Sequence, residues 1–271
     1  MSIFPICTTC GVQYETQANP PVSCLICEDE RQYVNPKGQS WTFREDLAQN
    51  YQNKIEQVGT GLFSIHPSPS FGIGQRAHLL ITPQGNILWD CVSLLDCSTV
   101  DKINTMGGIK AIAISHPHYF ATLMDWSQAF GNAPVYINIS DANWLCRKGP
   151  SLNLWQGPEL ELWDGIKLVQ CGGHFPGANI LYEPYGEGRL LVGDVIQVCP
   201  DRKSVSFMYS YPNLIPLSGQ EVLSIYRSIK DLNFDALFGA FGHHILHSGK
   251  EILEFSVNRY LKRIGAYVTG L

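Results

Sequence analysis

Four cysteines fall within the first 27 residues of this 271-residue chain, as two C-x-x-C pairs, Cys7-Thr8-Thr9-Cys10 and Cys24-Leu25-Ile26-Cys27. A C-x-x-C knuckle bends the backbone so that both sulfurs face one point, and turn amides can hydrogen-bond the thiolates. Two knuckles supply four sulfurs, the donor set of tetrahedral zinc. Residues 1–37 contain too few apolar side chains to build a core, so metal binding is expected to supply the folding free energy of this module. Asn35-Pro36-Lys37-Gly38 is a turn signal that closes it. A dithiol redox centre would need only one of the two pairs.

The remainder is long enough for one large α/β domain. At 45% hydrophobic and 16% charged residues the whole chain has the composition of a globular protein. A formal charge of −5 is poorly suited to bulk phosphate, so nucleic acid is not an expected partner. No run of 18 apolar residues suggests a membrane span, and the N-terminus lacks the basic and apolar regions of a secretory leader. The expected compartment is the cytoplasm, and the expected partner a small-molecule substrate. The cysteine count is nine, an odd number, which argues against a disulfide framework. Cys91, Cys97, Cys146, Cys171 and Cys199 read as buried structural thiols. Nothing in the sequence sets an oligomeric state.

Three segments follow from the patterning. Residues 1–37 are the cysteine module. Residues 38–58 read as a linker helix, because Trp41 to Gln57 is polar with apolar residues at helical spacing. Residues 59–271 intersperse strands and helices. Strands are expected at 61–65, 77–81, 86–90, 109–115, 134–139, 160–163, 166–170, 180–182, 190–192 and 235–241. Helices are expected at 121–130, 218–231 and 248–265. The interspersion suggests two sheets packed face to face with helices outside, a four-layer α/β architecture.

Chemistry concentrates at strand ends. His116-Pro117-His118 follows the apolar strand that ends at Ser115, and two imidazoles one residue apart can aim at one metal. Gly172-Gly173-His174-Phe175-Pro176-Gly177 sets a histidine in a glycine-flanked loop. Gly193-Asp194 puts a carboxylate after the strand Leu190-Leu191-Val192. Gly242-His243-His244 follows a late strand.

This order, H-x-H, then G-G-H-x-x-G, then G-D, then G-H, resembles the metallo-β-lactamase superfamily over about residues 59–271. Asn86-Ile87-Leu88-Trp89-Asp90 resembles the early strand of that family, which ends in an aspartate near the metal site. Stretches such as Ser115 to Tyr119 and Ser206 to Asn213 are most similar to a group of uncharacterised hydrolase-like members. The pattern Cys7 to Tyr14 resembles rubredoxin, although Glu28 stands where rubredoxin has a second glycine.

The resemblance implies an αββα sandwich with a zinc-ribbon-like or rubredoxin-like module at its N-terminus. By position, His116, His118 and His174 would bind the first metal, with Asp194 as a bridging or supplementary carboxylate. His243, or alternatively His244, would stand on the second-metal side. The family motif H-x-H-x-D-H is incomplete here: Phe120 and Ala121 occupy the last two positions, so a single-metal site is expected. Asp125, a helical turn further on, reads as a surface or capping residue. His66, His78 and His247 match no ligand position and read as structural or exposed.

The implied cofactors are one zinc at Cys7, Cys10, Cys24 and Cys27 and one at the histidines, with iron the alternative at either. A metal held by three histidines leaves room for water, whose pKa it can lower to roughly 7. Asp194 would orient that water and take its proton. Tyr209 and Tyr211 would line a pocket or donate to an oxyanion. The expected function is a metal-dependent hydrolase of a small ester, thioester, amide or lactone. The alternatives are a catalytically silent binding or scaffold protein and a rubredoxin-like iron redox protein.

Overall fold

The computed structural model describes residues 4–16 and 19–266. The chain divides into two compact units. The first runs up to Ile137 and resumes over Asp141–Trp155; the second comprises Asn138–Ser140 and the chain from Gln156 onward.

The first unit begins with the cysteine module. Strand β1 (Ile6–Cys7) carries the first ligand and the short helix α1 (Leu25–Glu28) carries the last. β1 pairs with β2 (Trp41–Thr42), Ile6 opposite Thr42. Helix α2 (Arg44–Asn50) buries Leu47, which joins Ile6, Phe71 and Leu94 in one apolar cluster. The module is thus seated on the same core as the sheet that follows.

The expected linker helix ends early. After Asn50 the chain enters strand β3 (Gln52–Gly59), which pairs antiparallel with β4 (Leu62–Ser68) from Gln52↔Ser68 onward. The sequence 52–57 is polar enough to suit either state, and pairing against the buried β4 decides for strand. Strands β5 (Ala77–Leu80) and β6 (Ile87–Trp89) continue the sheet, which also takes β7 (Ala111–Ala113), β8 (Val135–Asn138) and β9 (Leu152–Trp155), in the order β3-β4-β5-β6-β7-β8-β9. The first four strands form a meander; β6, β7 and β8 are parallel. Helix α3 (Cys97–Thr105) precedes β7 and was not expected from the sequence; Asp96 caps it, accepting from Thr99 N–H at 2.7 Å. Helix α4 (Leu123–Ala129) leads into β8. Parallel strands share a direction, so the C-terminal ends of β6 and β7 place Asp90 and Ser115-His116 side by side.

The second unit is a six-stranded sheet, ordered β10-β11-β12-β13-β18-β19. Its strands are β10 (Glu159–Trp163), β11 (Ile166–Gln170), β12 (Asn179–Glu183), β13 (Arg189–Gly193), β18 (Ala236–Gly239) and β19 (His244–Ile245). Between β13 and β18 come two small ribbons, β14 (Gln197–Val198) with β15 (Val205–Ser206), and β16 (Met208–Ser210) with β17 (Ile215–Pro216). Helix α5 (Gly219–Ile229) opens with a complete capping box, Ser218 and Glu221 satisfying each other's amides. Helix α6 (Gly249–Arg263) follows β19. β13 and β18 are parallel, so Asp194 and the loop 240–243 emerge at the same end of this sheet. Among the described residues, no helix is long and apolar enough to cross a membrane.

Candidate metal centres

The four cysteines converge as the knuckle spacing requires. Their sulfurs all lie within 4.8 Å of one another, with Cys7 to Cys27 and Cys10 to Cys24 each at 3.6 Å. A disulfide needs about 2.05 Å. Four sulfurs on one ion at about 2.3 Å are separated by about 3.8 Å, so the cluster fits a tetrahedral metal. All four side chains are buried, and Gln39 Nε2 donates to Cys7 Sγ at 3.4 Å. Hydrogen bonds from Cys10, Cys24 and Cys27 hold the Cys7 thiol well below its ordinary pKa, while burial pushes that of Cys10 well above it. Thiols this crowded cannot all keep ordinary protonation, and a bound dication would replace their protons.

A second group of potential ligands is His116, His118, His174 and Asp194. All four are buried; His116 and His118 stand in the first unit, His174 and Asp194 in the second. His174 Nε2 and Asp194 Oδ2 stand 3.8 Å apart, too far for a hydrogen bond and suited to two donors of one ion.

Neighbouring groups orient these histidines. Ser115 donates its N–H to Asp90 Oδ1 at 2.7 Å and its hydroxyl to Oδ2 at 2.9 Å. Its oxygen then accepts from His116 Nδ1, 2.8 Å away. That bond puts the imidazole proton on Nδ1 and leaves the Nε2 lone pair for a metal. Asp90, which the resemblance places near the metal, reaches His116 through Ser115.

His174 is fixed in the same sense by the β16 backbone. Its Nδ1 lies 2.9 Å from the Tyr209 carbonyl and 3.2 Å from that of Met208. Carbonyls only accept, so Nδ1 carries the proton and Nε2 is again the donor to a metal. Tyr211 packs its ring on His174 at 5.5 Å, and its buried hydroxyl donates to the Asp194 carbonyl at 2.9 Å. Burial first, and the Asp194 charge second, push its pKa well above 10. Tyr209 meets His174 through its backbone, and Tyr211 bears on both His174 and Asp194.

His243 is not one of the four. It follows Gly242 near the C-terminal end of β18, half-buried, and its Nδ1 has no hydrogen-bond partner among the described residues. His244 sits in β19 opposite Phe238, ring to ring at 5.0 Å. His247 is exposed beside Asp235 at 3.1 Å.

Asp125 is not a surface residue. It is buried, pairs with Arg147 Nη1 at 2.5 Å and accepts from Gln13 Nε2 at 3.0 Å. The sequence reading missed this because the partners lie far away along the chain. The scattered cysteines also divide: Cys91 and Cys171 are buried, burial raising the Cys171 thiol to about 12, whereas Cys97 is exposed.

The chain is 46% identical over 268 residues to the uncharacterized protein YmaE of Bacillus subtilis (strain 168), covering 97% of both chains. It belongs to the YmaE family. No family model matches the sequence. Among solved structures, a B3 metallo-β-lactamase with an active-site glutamic acid aligns with 81% of this chain and 93% of its own, at TM-score 0.53 and 17% identity. The DIM-1 metallo-β-lactamase aligns with 75% of this chain and 97% of its own, at TM-score 0.56 and 17% identity. These likenesses establish that this YmaE-family protein has the metallo-β-lactamase fold, with a four-cysteine cluster at its N-terminus.

Proposed function

We propose that this YmaE-family protein is a metal-dependent hydrolase with a single metal, zinc, held by His116, His118 and His174 with Asp194 as a supplementary carboxylate, acting on a small ester, thioester, amide or lactone. The observation that carries the reading is the pair of oriented imidazoles. His116 and His174 each spend the Nδ1 proton on a fixed acceptor, so both keep Nε2 as the donor to a metal. Three neutral imidazoles and a carboxylate suit zinc. A bound zinc would lower the pKa of water and polarise a scissile carbonyl.

The remaining roles belong to the chain. The Asp194 carboxylate orients the attacking water and takes its proton. Tyr211 holds the Asp194 backbone, and the Tyr209 carbonyl holds His174; the Tyr209 hydroxyl is the donor assigned to the developing oxyanion. Phe120 and Ala121, both buried, support a mononuclear site because neither side chain can ligate. They equally support a second reading, in which the fold is kept for binding and turnover is lost. His243 would be the remaining side chain for a second ion. The four cysteines are assigned a structural zinc.

Elemental analysis of protein purified without added metal tests this reading. Two metals per chain are expected. One should be lost in His116→Ala/His118→Ala and the other in Cys7→Ser/Cys10→Ser. Turnover in an ester and thioester screen should disappear with the first pair. One metal per chain, unaffected by the histidine changes, would sink the hydrolase reading.

A further inference from the structure

At the point where the family resemblance calls for two more ligands, the backbone of this chain is bound to the cysteine module. Ala121 adopts a left-handed φ of 38°, and its carbonyl accepts the Gln13 N–H at 2.9 Å. Gln75, also buried, donates from Nε2 to two carbonyls, Cys10 at 2.9 Å and His118 at 3.3 Å. A primary amide has two hydrogens, so one side chain ties a cysteine ligand to a histidine ligand.

Further bonds reinforce that tie. The Gln13 side chain donates to Asp125 and accepts from Arg147, which is itself paired with Asp125. Ser93 Oγ donates to the Gly11 carbonyl at 2.8 Å. Gly11 has φ +82°, and a Cβ there would fall 2.2 Å from Ser93 Oγ, so only glycine permits this approach. Thr122 Oγ1 donates back to the Val92 and Ser93 carbonyls, both at 3.2 Å. The segment 118–122 is therefore held by residues 10–13 and by the loop at Val92 and Ser93 that also binds Gly11.

We infer that the four-cysteine module is an internal positioning device for the His116–His118 loop, with Gln75 and Gln13 as the positioning residues. Metal at the cysteines orders residues 10–13, and these in turn fix the loop from which His116 and His118 project. The module takes the place of the ligands that Phe120 and Ala121 do not supply, giving the loop rigidity instead of a second ion. This inference rests on the reading that the histidine group holds a metal. It makes the two sites thermodynamically coupled: filling the cysteine site raises the affinity of the histidine site, and the reverse holds by the same factor.

Cobalt(II) titration of the metal-stripped full chain tests it, because the sites have separate signatures. Thiolate-bound cobalt absorbs strongly in the near ultraviolet, whereas cobalt on histidine and carboxylate gives only weak visible bands. In the wild type the near-ultraviolet band should saturate first. Gln75→Ala and Gln13→Ala should each keep that band and its midpoint while weakening the histidine site by about tenfold or more, the usual effect of losing a group that orients a ligand. Cys24→Ser/Cys27→Ser should weaken it further. An unchanged histidine-site midpoint in both glutamine variants overturns the inference and leaves the proposed function standing. A wild type with no histidine-site band overturns both.

Discussion

The two ligand groups of this chain are built by opposite means. The cysteine group comes from residues 7–27, uses four identical donors and is almost complete in itself. The proposed histidine site draws on residues from 116 to 194, mixes imidazole with carboxylate, and depends on neighbours that set the tautomer and direction of His116 and His174. Structural zinc sites are closed by four protein ligands, whereas catalytic ones keep a position for water and rely on surrounding groups for orientation. The contrast fits one site that holds the chain together and another that leaves room for chemistry.

The contrast can be broken most directly at the cysteines. Structural zinc contributes about 10–16 kcal/mol of apparent binding free energy in small modules, comparable with the whole stability of a domain, about 5–15 kcal/mol. Cys24→Ser/Cys27→Ser is therefore expected to cost more than any other change here, with a large fall in Tm and rapid proteolysis around residues 4–50. A variant with wild-type Tm would show that these four thiols hold nothing.

The next largest effect should come from the seam between the module and its sheet. Asp125→Ala leaves the Arg147 guanidinium buried without its carboxylate, which typically costs about 3–5 kcal/mol. Urea unfolding should register that loss. A cost near zero would mean that the pair is solvated and the module only loosely seated.

Ser115→Ala separates orientation from stability. It cuts the link from Asp90 to His116 and should lower metal affinity at the histidine group by about 10–100-fold. The cysteine site should be unaffected. Chelator competition monitored by metal release would measure both in one sample, and equal weakening of the two sites would contradict the division of labour.

Asp96 calibrates the scale, since it is no ligand and caps α3. Asp96→Ala should cost about 1 kcal/mol at neutral pH. Burial works to raise its carboxyl pKa, but hydrogen bonds from Ser98 and Thr99 outweigh it and hold it below the ordinary carboxylate range. A lowered folded-state pKa means that this stabilisation is complete above about pH 4, the unfolded value, and lost as pH falls through the folded value. Urea midpoints of wild type and variant should thus differ at pH 7 and converge on acidification. A gap that persists in acid would assign the effect to helix propensity.

Much of this was legible along the chain because the informative signals are short in range. Two C-x-x-C knuckles specify their own turn geometry, and the expected cluster of four sulfurs formed. The apolar strands ending in Asp90, His116 and Asp194 were visible for the same reason: strand periodicity and a glycine-rich exit are local properties. Helices α5 and α6 appeared within two residues of expectation. Residues 52–57 could not be placed by pattern alone, because their polar run suits a helix until β4 offers an edge to pair with.

By itself, the sequence determined the donor chemistry: which residues can bind a metal, in what order they occur, and that Phe120 and Ala121 cannot. Only the tertiary structure decided how those donors are aimed. Asp125 became a buried anchor because Gln13 and Arg147, distant in sequence, meet it. Gln75 became the tie between two ligand groups because the fold brings the carbonyls of Cys10 and His118 to one amide. The physical reason is that a side chain's identity is local, whereas its hydrogen-bond partner, and hence its tautomer and direction, is fixed only when remote backbone arrives beside it.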